Sequence, residues 1–305
     1  MCGVRALTST TALTAAALGA GGLAYAGGVE RRAFALRRFD VPCLPVGSRP
    51  LRLLHLSDVH MAPGQHKKQA WLRRLADVEP DLVVNTGDNL AHLRSVPVVL
   101  RSYGELLDLP GVFVMGSNDY FAPVLKNPAR YLLPAGVVRA KGTPLPWREL
   151  RDGFCERGWL DLDNVRGELR VGSLRLALSG VDDPHLRYDD LAAVAGPADP
   201  EADLAVGVAH APYLRVLDAF TRDGHHLVLA GHTHGGQLRL PGIGALVTNC
   251  DLDRARARGL HQHTVGGRTS WLHVSAGLGT SPFAPVRLCC RPEATLLTLV
   301  PADSG

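Results

Sequence analysis

What the chain lacks narrows its chemistry first. Of its six cysteines (Cys2, Cys43, Cys155, Cys250, Cys289 and Cys290), no two stand at CxxC spacing, and the one close pair, Cys289-Cys290, is adjacent in sequence and badly placed for a bridge. This argues against a zinc ribbon and against a disulfide scaffold. Ser275 and its neighbouring glycines do not form a G-x-S-x-G elbow, and the N-terminal glycines lack the Lys-Ser/Thr of a P-loop. Both motifs are discarded. Charge of one sign is not in excess either. The formal net charge is +4, and residues 1–40 supply +3 of it, with Arg5, Arg31, Arg32, Arg37 and Arg38 against Glu30 and Asp40. The remainder is close to neutral, so no nucleic-acid partner is expected. No internal repeat is visible, and no low-complexity tract outside the N-terminal segment.

What is present is a globular composition of 305 residues, 46% apolar and 20% charged, long enough to bury a large core. One α/β domain with insertions is the expectation. From Ala6 to Val29 there is no charged residue, with Arg5 before and Glu30-Arg31-Arg32 after. Residues 1–30 therefore read as a membrane anchor, as a cleaved signal with Ala24-Tyr25-Ala26 resembling the cleavage site, or as a loose tail. The arginines after the segment outnumber those before it, which favours a cytoplasmic body, whereas signal-type insertion exports it. The chain is expected to be membrane-associated or exported, with the side left open. Residues 31–50, with Pro42, Pro45 and Pro50, read as a linker or edge strand.

The body, 51–302, repeats one pattern. Leu51–Ser57 reads as a strand delivering Asp58-Val59-His60, and a helical pattern runs from about Lys67 to Val78. The strand Leu82–Asn85 runs into Thr86-Gly87-Asp88-Asn89, with another helical stretch from about Ser95 to Leu107, and Val112–Met115 leads to Gly116-Ser117-Asn118-Asp119. Strand, polar loop and helix in alternation predict a layered α/β sheet with its chemistry at the C-terminal ends of the strands. From about Pro123 to Gly167 the pattern breaks into Pro- and Gly-rich pieces that suggest a cap. Leu169 to Ser179 reads as a hairpin around Gly172-Ser173. Asp203–Ala209 is a strand ending at His210, and His226–Ala230 is another, running into Gly231-His232-Thr233-His234-Gly235. The remainder from Trp271 to Val300 is strand-rich.

Asp58, His60, Asp88, Asn118, His210, His232 and His234 all fall at such ends, and scatter of thirteen histidines would not often place four there beside Asp and Asn. A set of oxygen and nitrogen ligands without thiolate suits Mn, Fe or Zn, and seven ligands are too many for one tetrahedral ion. Two histidines one residue apart on a turn reach two neighbouring metals more easily than one. The count asks for two.

In order and spacing, Asp58-Val59-His60, Gly87-Asp88, Asn118, His210 and Gly231-His232-Thr233-His234 resemble the motifs D-x-H, G-D, G-N-H, H and G-H-x-H of the calcineurin-like metallophosphoesterases. The stretch Ser275–Ser281 with Pro285-Val286-Arg287 is similar to the family's membrane-associated bacterial branch, which includes UDP-diacylglucosamine hydrolase-like phosphodiesterases. The resemblance implies an α/β/β/α-type sandwich with a binuclear metal site. It implies Asp58, His60, Asp88 and His234 on one ion and Asp88, Asn118, His210 and His232 on the other, Asp88 bridging. It further implies hydrolysis of phosphoesters by a metal-bridging hydroxide, on phosphodiesters or diphosphates of a nucleotide- or lipid-linked substrate. The third motif departs from the family: Gly116-Ser117-Asn118-Asp119 has no histidine after the asparagine. Aligned from Gly111, Asn118 is the ligand and Asp119 stands where the histidine would; aligned on Asp119-Tyr120, the ligand is Ser117. Asp119 is the expected leaving-group acid, Asn89 and Arg287 the expected substrate contacts. The alternative is a catalytically weakened metal-binding module that holds a nucleotide or lipid headgroup.

Overall fold

The computed structural model describes residue 17, residues 19–124 and residues 142–302. In chain order its strands are β1 (Ala35–Leu44), β2 (Leu51–Leu56), β3 (Leu82–Asn85), β4 (Gly111–Phe113), β5 (Leu160–Asp161), β6 (Val165–Val171) and β7 (Leu174–Val181). They continue with β8 (Leu204–Ala209), β9 (Leu227–Ala230), β10 (Arg239–Leu240), β11 (Gly244–Ala245), β12 (Gly259–Val265), β13 (Arg268–Val274) and β14 (Glu293–Pro301). The helices are α1 (residues 19–28), then α2 (His66–Arg73), α3 (Val96–Tyr103), α4 (Ser117–Tyr120), α5 (Trp147–Cys155), α6 (Leu191–Val194) and α7 (Leu214–Arg222).

Two six-stranded mixed sheets form the body, ordered β1-β14-β2-β3-β4-β5 and β12-β13-β9-β8-β7-β6. In each, the strands that carry the polar loops are parallel neighbours, β2-β3-β4 in one sheet and β7-β8-β9 in the other. Their C-terminal ends therefore emerge together. Strands buried on both faces need apolar residues at every position, which is why Leu82-Val83-Val84 and Leu227-Val228-Leu229 are unbroken runs rather than alternations. Alternate residues of one run serve two cores. Leu53, Val84 and Val112 meet Leu176, Val206 and Leu229 between the sheets. Leu54, Val83 and Phe113 face outward under α2, α3 and α5, and Val228 with Leu272 packs under α7. The order helix, sheet, sheet, helix is the layered sandwich that the motif resemblance implied.

The structure revises several details. The helical stretches expected over 67–78 and 95–107 both tighten to 3-10 geometry, at Arg74–Val78 and Gly104–Asp108. Pro42 lies inside β1, an edge strand pairing parallel with β14, where a missing N–H is tolerated. Of the expected cap at 123–167, residues 125–141 lie outside the described residues. Residues 142–167 belong to the body: Leu150 and Phe154 of α5 are buried, Phe154 packs on Trp159 and Phe113, and β5 extends the first sheet. The hairpin expected at 169–179 is β6-β7. All five cysteines among the described residues are free. Among the described residues no helix is long and apolar enough to cross a membrane; residues 1–16 and 18 of the expected anchor lie outside them.

His225, at the start of the run into β9, is buried, and its Nδ1 sits 2.9 Å from the Phe220 carbonyl. Burial pushes this imidazole down to about 4. Between that value and about 6.5 the unfolded chain takes up a proton that the folded one does not, so this residue's contribution to stability falls as pH falls. Denaturant titrations of wild type and His225→Gln should therefore converge by roughly 2 kcal/mol between pH 7.5 and 4.5. A constant gap would contradict the burial argument.

Candidate metal centre

Three loops of the centre are turned by backbone that most residues avoid. Asp58, His60, Asp88, His232 and His234 all have positive φ, between 42° and 68°. Left-handed backbone at a non-glycine residue costs on the order of 1 kcal/mol and persists only where surroundings impose it. Here the imposing contacts are a ladder that continues past the strands. Asp58, His60 and Met61 donate their N–H groups to the carbonyls of Gly87, Asp88 and Asn89, at 2.9, 2.9 and 2.7 Å. From the other sheet, Gly231 donates to the His210 carbonyl at 2.8 Å. A side chain at Gly231 would place its Cβ 1.8 Å from Ser57 Oγ and 2.6 Å from Asp58 Oδ2, so only glycine lets the two sheets' loops meet.

The side chains thus gathered form two groups of potential ligand atoms lying within 4.8 Å of one another, Asp58 with His60 and His234, and Asp58 with Asp88 and His210. Asp88 lies between the histidines, Oδ2 3.4 Å from His60 Nε2 and Oδ1 3.4 Å from His210 Nε2. Two imidazole pairs face each other through ring nitrogens, His60 Nε2 with His234 Nε2 and His232 Nδ1 with His210 Nε2, both at 3.3 Å. Outer contacts set the tautomers. His210 Nδ1 lies 2.7 Å from the Thr86 carbonyl and donates to it, leaving Nε2 to face Asp88. His232 Nε2 lies 3.4 Å from the Asn249 carbonyl, which leaves Nδ1 facing inward. Asn118 donates to Asp88 from its backbone N–H (2.7 Å) and its Nδ2 (2.6 Å), and ligation requires the amide to present Oδ1 instead.

Metal ions fit this donor set. Asp58 is fully buried; its Oδ2 accepts from Ser57 Oγ and the His232 N–H, while Oδ1 has no hydrogen-bond partner. Burial pushes its carboxyl up to about 6, with the Asp88 charge adding to the rise. At His210 burial works against protonation, but the Asp88, Asp183 and Asp58 carboxylates outweigh it and lift the ring to about 9. The three carboxylates thus surround His210 with a concentrated negative field, which a proton on Nε2 or a cation in its place neutralises. Cations relieve both conditions at once.

Three expected site residues take other roles. Asp119, expected as the leaving-group acid, is fully buried behind the centre. Its Oδ1 accepts from the N–H groups of Asn89 (2.7 Å) and Leu90 (3.2 Å), its Oδ2 from those of Asp88 (2.8 Å) and Gly116 (3.0 Å). It fixes the loop that carries Asp88 and does not face the cleft. Asn89, expected to touch substrate, is buried in a network with Asn85 and Tyr103. Arg287, expected to bind phosphate, is fully buried, its Nη2 donating to the carbonyls of Ala276, Gly277 and Gly279 at 2.7, 3.1 and 2.6 Å. It clamps the loop that closes over Asp58 and His60.

Sequence reading passed over the loop after β7. Asp183 is buried, takes a hydrogen bond from Ser117 Oγ, and is pushed by burial up to about 6, with His210 and Asp88 as charged neighbours. The His185 ring centroid lies 4.2 Å from that of His232, with His185 Nδ1 3.0 Å from the Tyr213 hydroxyl. Asp182-Asp183 follow a strand end like the other motifs, and that is the available signal; the hairpin expected over Leu169–Ser179 stops short of them.

Comparison with known proteins follows the same lines. Residues 51–236 match the family model described as calcineurin-like phosphoesterase. The chain is 28% identical over 280 residues to a bovine transmembrane protein with metallophosphoesterase domain, covering 87% of this chain and 57% of that protein, so it spans little more than half of that relative. It is 26% identical over 253 residues to the metallophosphoesterase YkoQ of Bacillus subtilis, covering 81% of this chain and 83% of that one. Over a shorter stretch of 74 residues, 24% of this chain and 25% of the other, it is 40% identical to the phosphodiesterase YaeI of Escherichia coli.

In Asp119→Asn, the new Nδ2 group would oppose backbone N–H donors. Unfolding in urea should show a loss of about 2–3 kcal/mol, while the acid limb of the rate on an alkyl phosphodiester stays where it is. Wild-type stability with a lost acid limb would return Asp119 to the role of acid.

Proposed function

The chain belongs to the calcineurin-like phosphoesterase family, and we propose that it hydrolyses a phosphodiester or diphosphate of a lipid- or nucleotide-linked substrate at a two-metal centre. The observation that carries this reading is the convergence of Asp58, His60, Asp88, His210, His232 and His234 from two sheets, with inward ring nitrogens 3.3 Å apart and a buried carboxylate oxygen without a hydrogen-bond partner. One ion falls to Asp58, His60, Asp88 and His234, the other to Asp88, Asn118, His210 and His232, with Mn, Fe and Zn all compatible with oxygen and nitrogen donors. When bound, such ions acidify an attacking water and neutralise charge on the phosphoryl oxygens. The chain's own residues do the rest. The Thr86 and Asn249 carbonyls fix the His210 and His232 rings, Asp119 holds the Asp88 loop, and Arg287 holds the segment against Asp58 and His60.

A diester is favoured over a monoester because the Escherichia coli relative is named a phosphodiesterase. A lipid-linked substrate is favoured by the uncharged stretch Ala6 to Val29 and by the likeness of Ser275–Arg287 to the UDP-diacylglucosamine hydrolase-like branch. The second reading, a weakened module that binds without turnover, draws on one observation: the place of the third motif's histidine is filled by Asp119, which is buried.

Hydrolysis of bis-p-nitrophenyl phosphate with Mn separates the two. Turnover by wild type, reduced at least about a hundredfold in Asp88→Asn, is expected from losing a carboxylate shared by two ions. Equal rates in both proteins, or none in either, would overturn the catalytic reading.

A further inference from the structure

Exposed large apolar side chains are unevenly distributed. Of twelve among the described residues, nine fall in three segments: Leu23, Tyr25 and Val29 at α1, five between residues 238 and 247, and Phe283. Scattered exposed apolar residues need no explanation, but a concentration on adjoining segments does. These segments adjoin. The Arg287 N–H donates to the Ala26 carbonyl of α1 at 3.1 Å, Gln237 Nε2 donates to the Ala284 carbonyl at 2.7 Å, and the Arg239 N–H donates to the Leu288 carbonyl at 2.9 Å. Residues 283–288 thus lie between α1 and the β10-β11 hairpin.

The same segments rim the metal centre. His234 precedes Leu238 by four residues, and Gly279, four residues before Phe283, donates its N–H to the Asp58 carbonyl at 2.6 Å. Their charge is of one sign. Neither 237–250 nor 274–292 contains an Asp or Glu; Arg239 and Arg291 reach solvent from them, Arg287 is buried, and Arg31-Arg32 follow α1. Of the acids that flank them, Glu30 and Glu293 are buried, Glu30 accepting from the Cys290 N–H, while Asp251 and Asp253 are exposed just beyond Cys250. Apolar side chains at tips, with arginines and no carboxylate within the two segments, match the interface of an anionic bilayer, where the tips enter the acyl boundary and guanidinium groups meet headgroup phosphates. The sequence from Ala6 to Val29, whose residues 19–28 form α1, carries no charge and points to the same occupant.

We propose that the face formed by α1, the β10-β11 hairpin and the Phe283 loop seats on an anionic lipid surface, with Ile243 and Phe283 entering it. The rim of the metal centre then lies at the level of the headgroups, and the substrates reached are phosphodiesters held in the membrane. The last step rests on the proposed hydrolytic function; the seating itself does not.

The test uses the full chain and vesicles of phosphatidylcholine with phosphatidylglycerol, part of the lipid carrying brominated acyl chains. In Ile243→Trp, emission should be quenched by the brominated lipid beyond the wild-type signal, and less so in vesicles without phosphatidylglycerol. The double variant Ile243→Asp/Phe283→Asp should keep its rate on bis-p-nitrophenyl phosphate and lose about tenfold or more on vesicle-held phosphatidylglycerol. No added quenching in Ile243→Trp would overturn the proposal, including the case where the protein still floats with vesicles through its N-terminal segment alone. A dimer that the double variant converts to monomer, without quenching, would overturn it in favour of a second copy of the chain. Quenching without hydrolysis of either diester would sustain the seating and count against the hydrolytic function.

Discussion

Gathering two buried carboxylates and four imidazoles, three of them buried, so that like atoms face each other is the constraint on which the structure depends. Asp58 Oδ1 has no hydrogen-bond donor, and two pairs of ring nitrogens stand 3.3 Å apart, with the outer nitrogens of His210 and His232 engaged by the Thr86 and Asn249 carbonyls. A chain without cations would relieve such an arrangement by protonation or by opening. This one reinforces it instead. Five of the converging residues are held in left-handed backbone, a strain that surrounding hydrogen bonds must outweigh.

The reinforcement explains residues that carry charge without meeting substrate. Asp119 spends both oxygens on four backbone N–H groups of the loops bearing Asp88 and Asn118. Arg287, a buried guanidinium, gathers carbonyls of the segment over Asp58 and His60. A carboxylate suits loops that present N–H groups, and a guanidinium suits loops that present carbonyls. Each locks one side of the centre, and together they leave the cleft to the ligand atoms.

The gathering of Asp58, His60, Asp88, His210, His232 and His234 was legible because strand ends advertise themselves: an unbroken apolar run such as Leu227–Ala230 followed by Gly231-His232-Thr233-His234 fixes both the strand and what it delivers. The layered fold followed from the same repetition. What a linear pattern cannot show is which way a side chain turns once delivered. Asp119, Asn89 and Arg287 stand beside motif residues in sequence, yet all three point into the protein. Asp183 and His185 stand far from any motif and come to lie against His210 and His232. Short elements escaped notice too, since β10 and β11 are two residues each.

The centre and the apolar face share their framework, because the loops that reach Asp58 and His234 continue into the exposed segments around Phe283 and Ile243. Chemistry and the approach to substrate are thereby linked through a few residues of backbone. The central claim, that Asp58 to His234 form one cavity for two ions joined by Asp88, is tested most directly by anomalous scattering from crystals grown with manganese. Two peaks about 3.5–4 Å apart, both beside the Asp88 carboxylate, are predicted; a single peak, or none with Asp88 still hydrogen-bonded to the Asn118 amide, would contradict it.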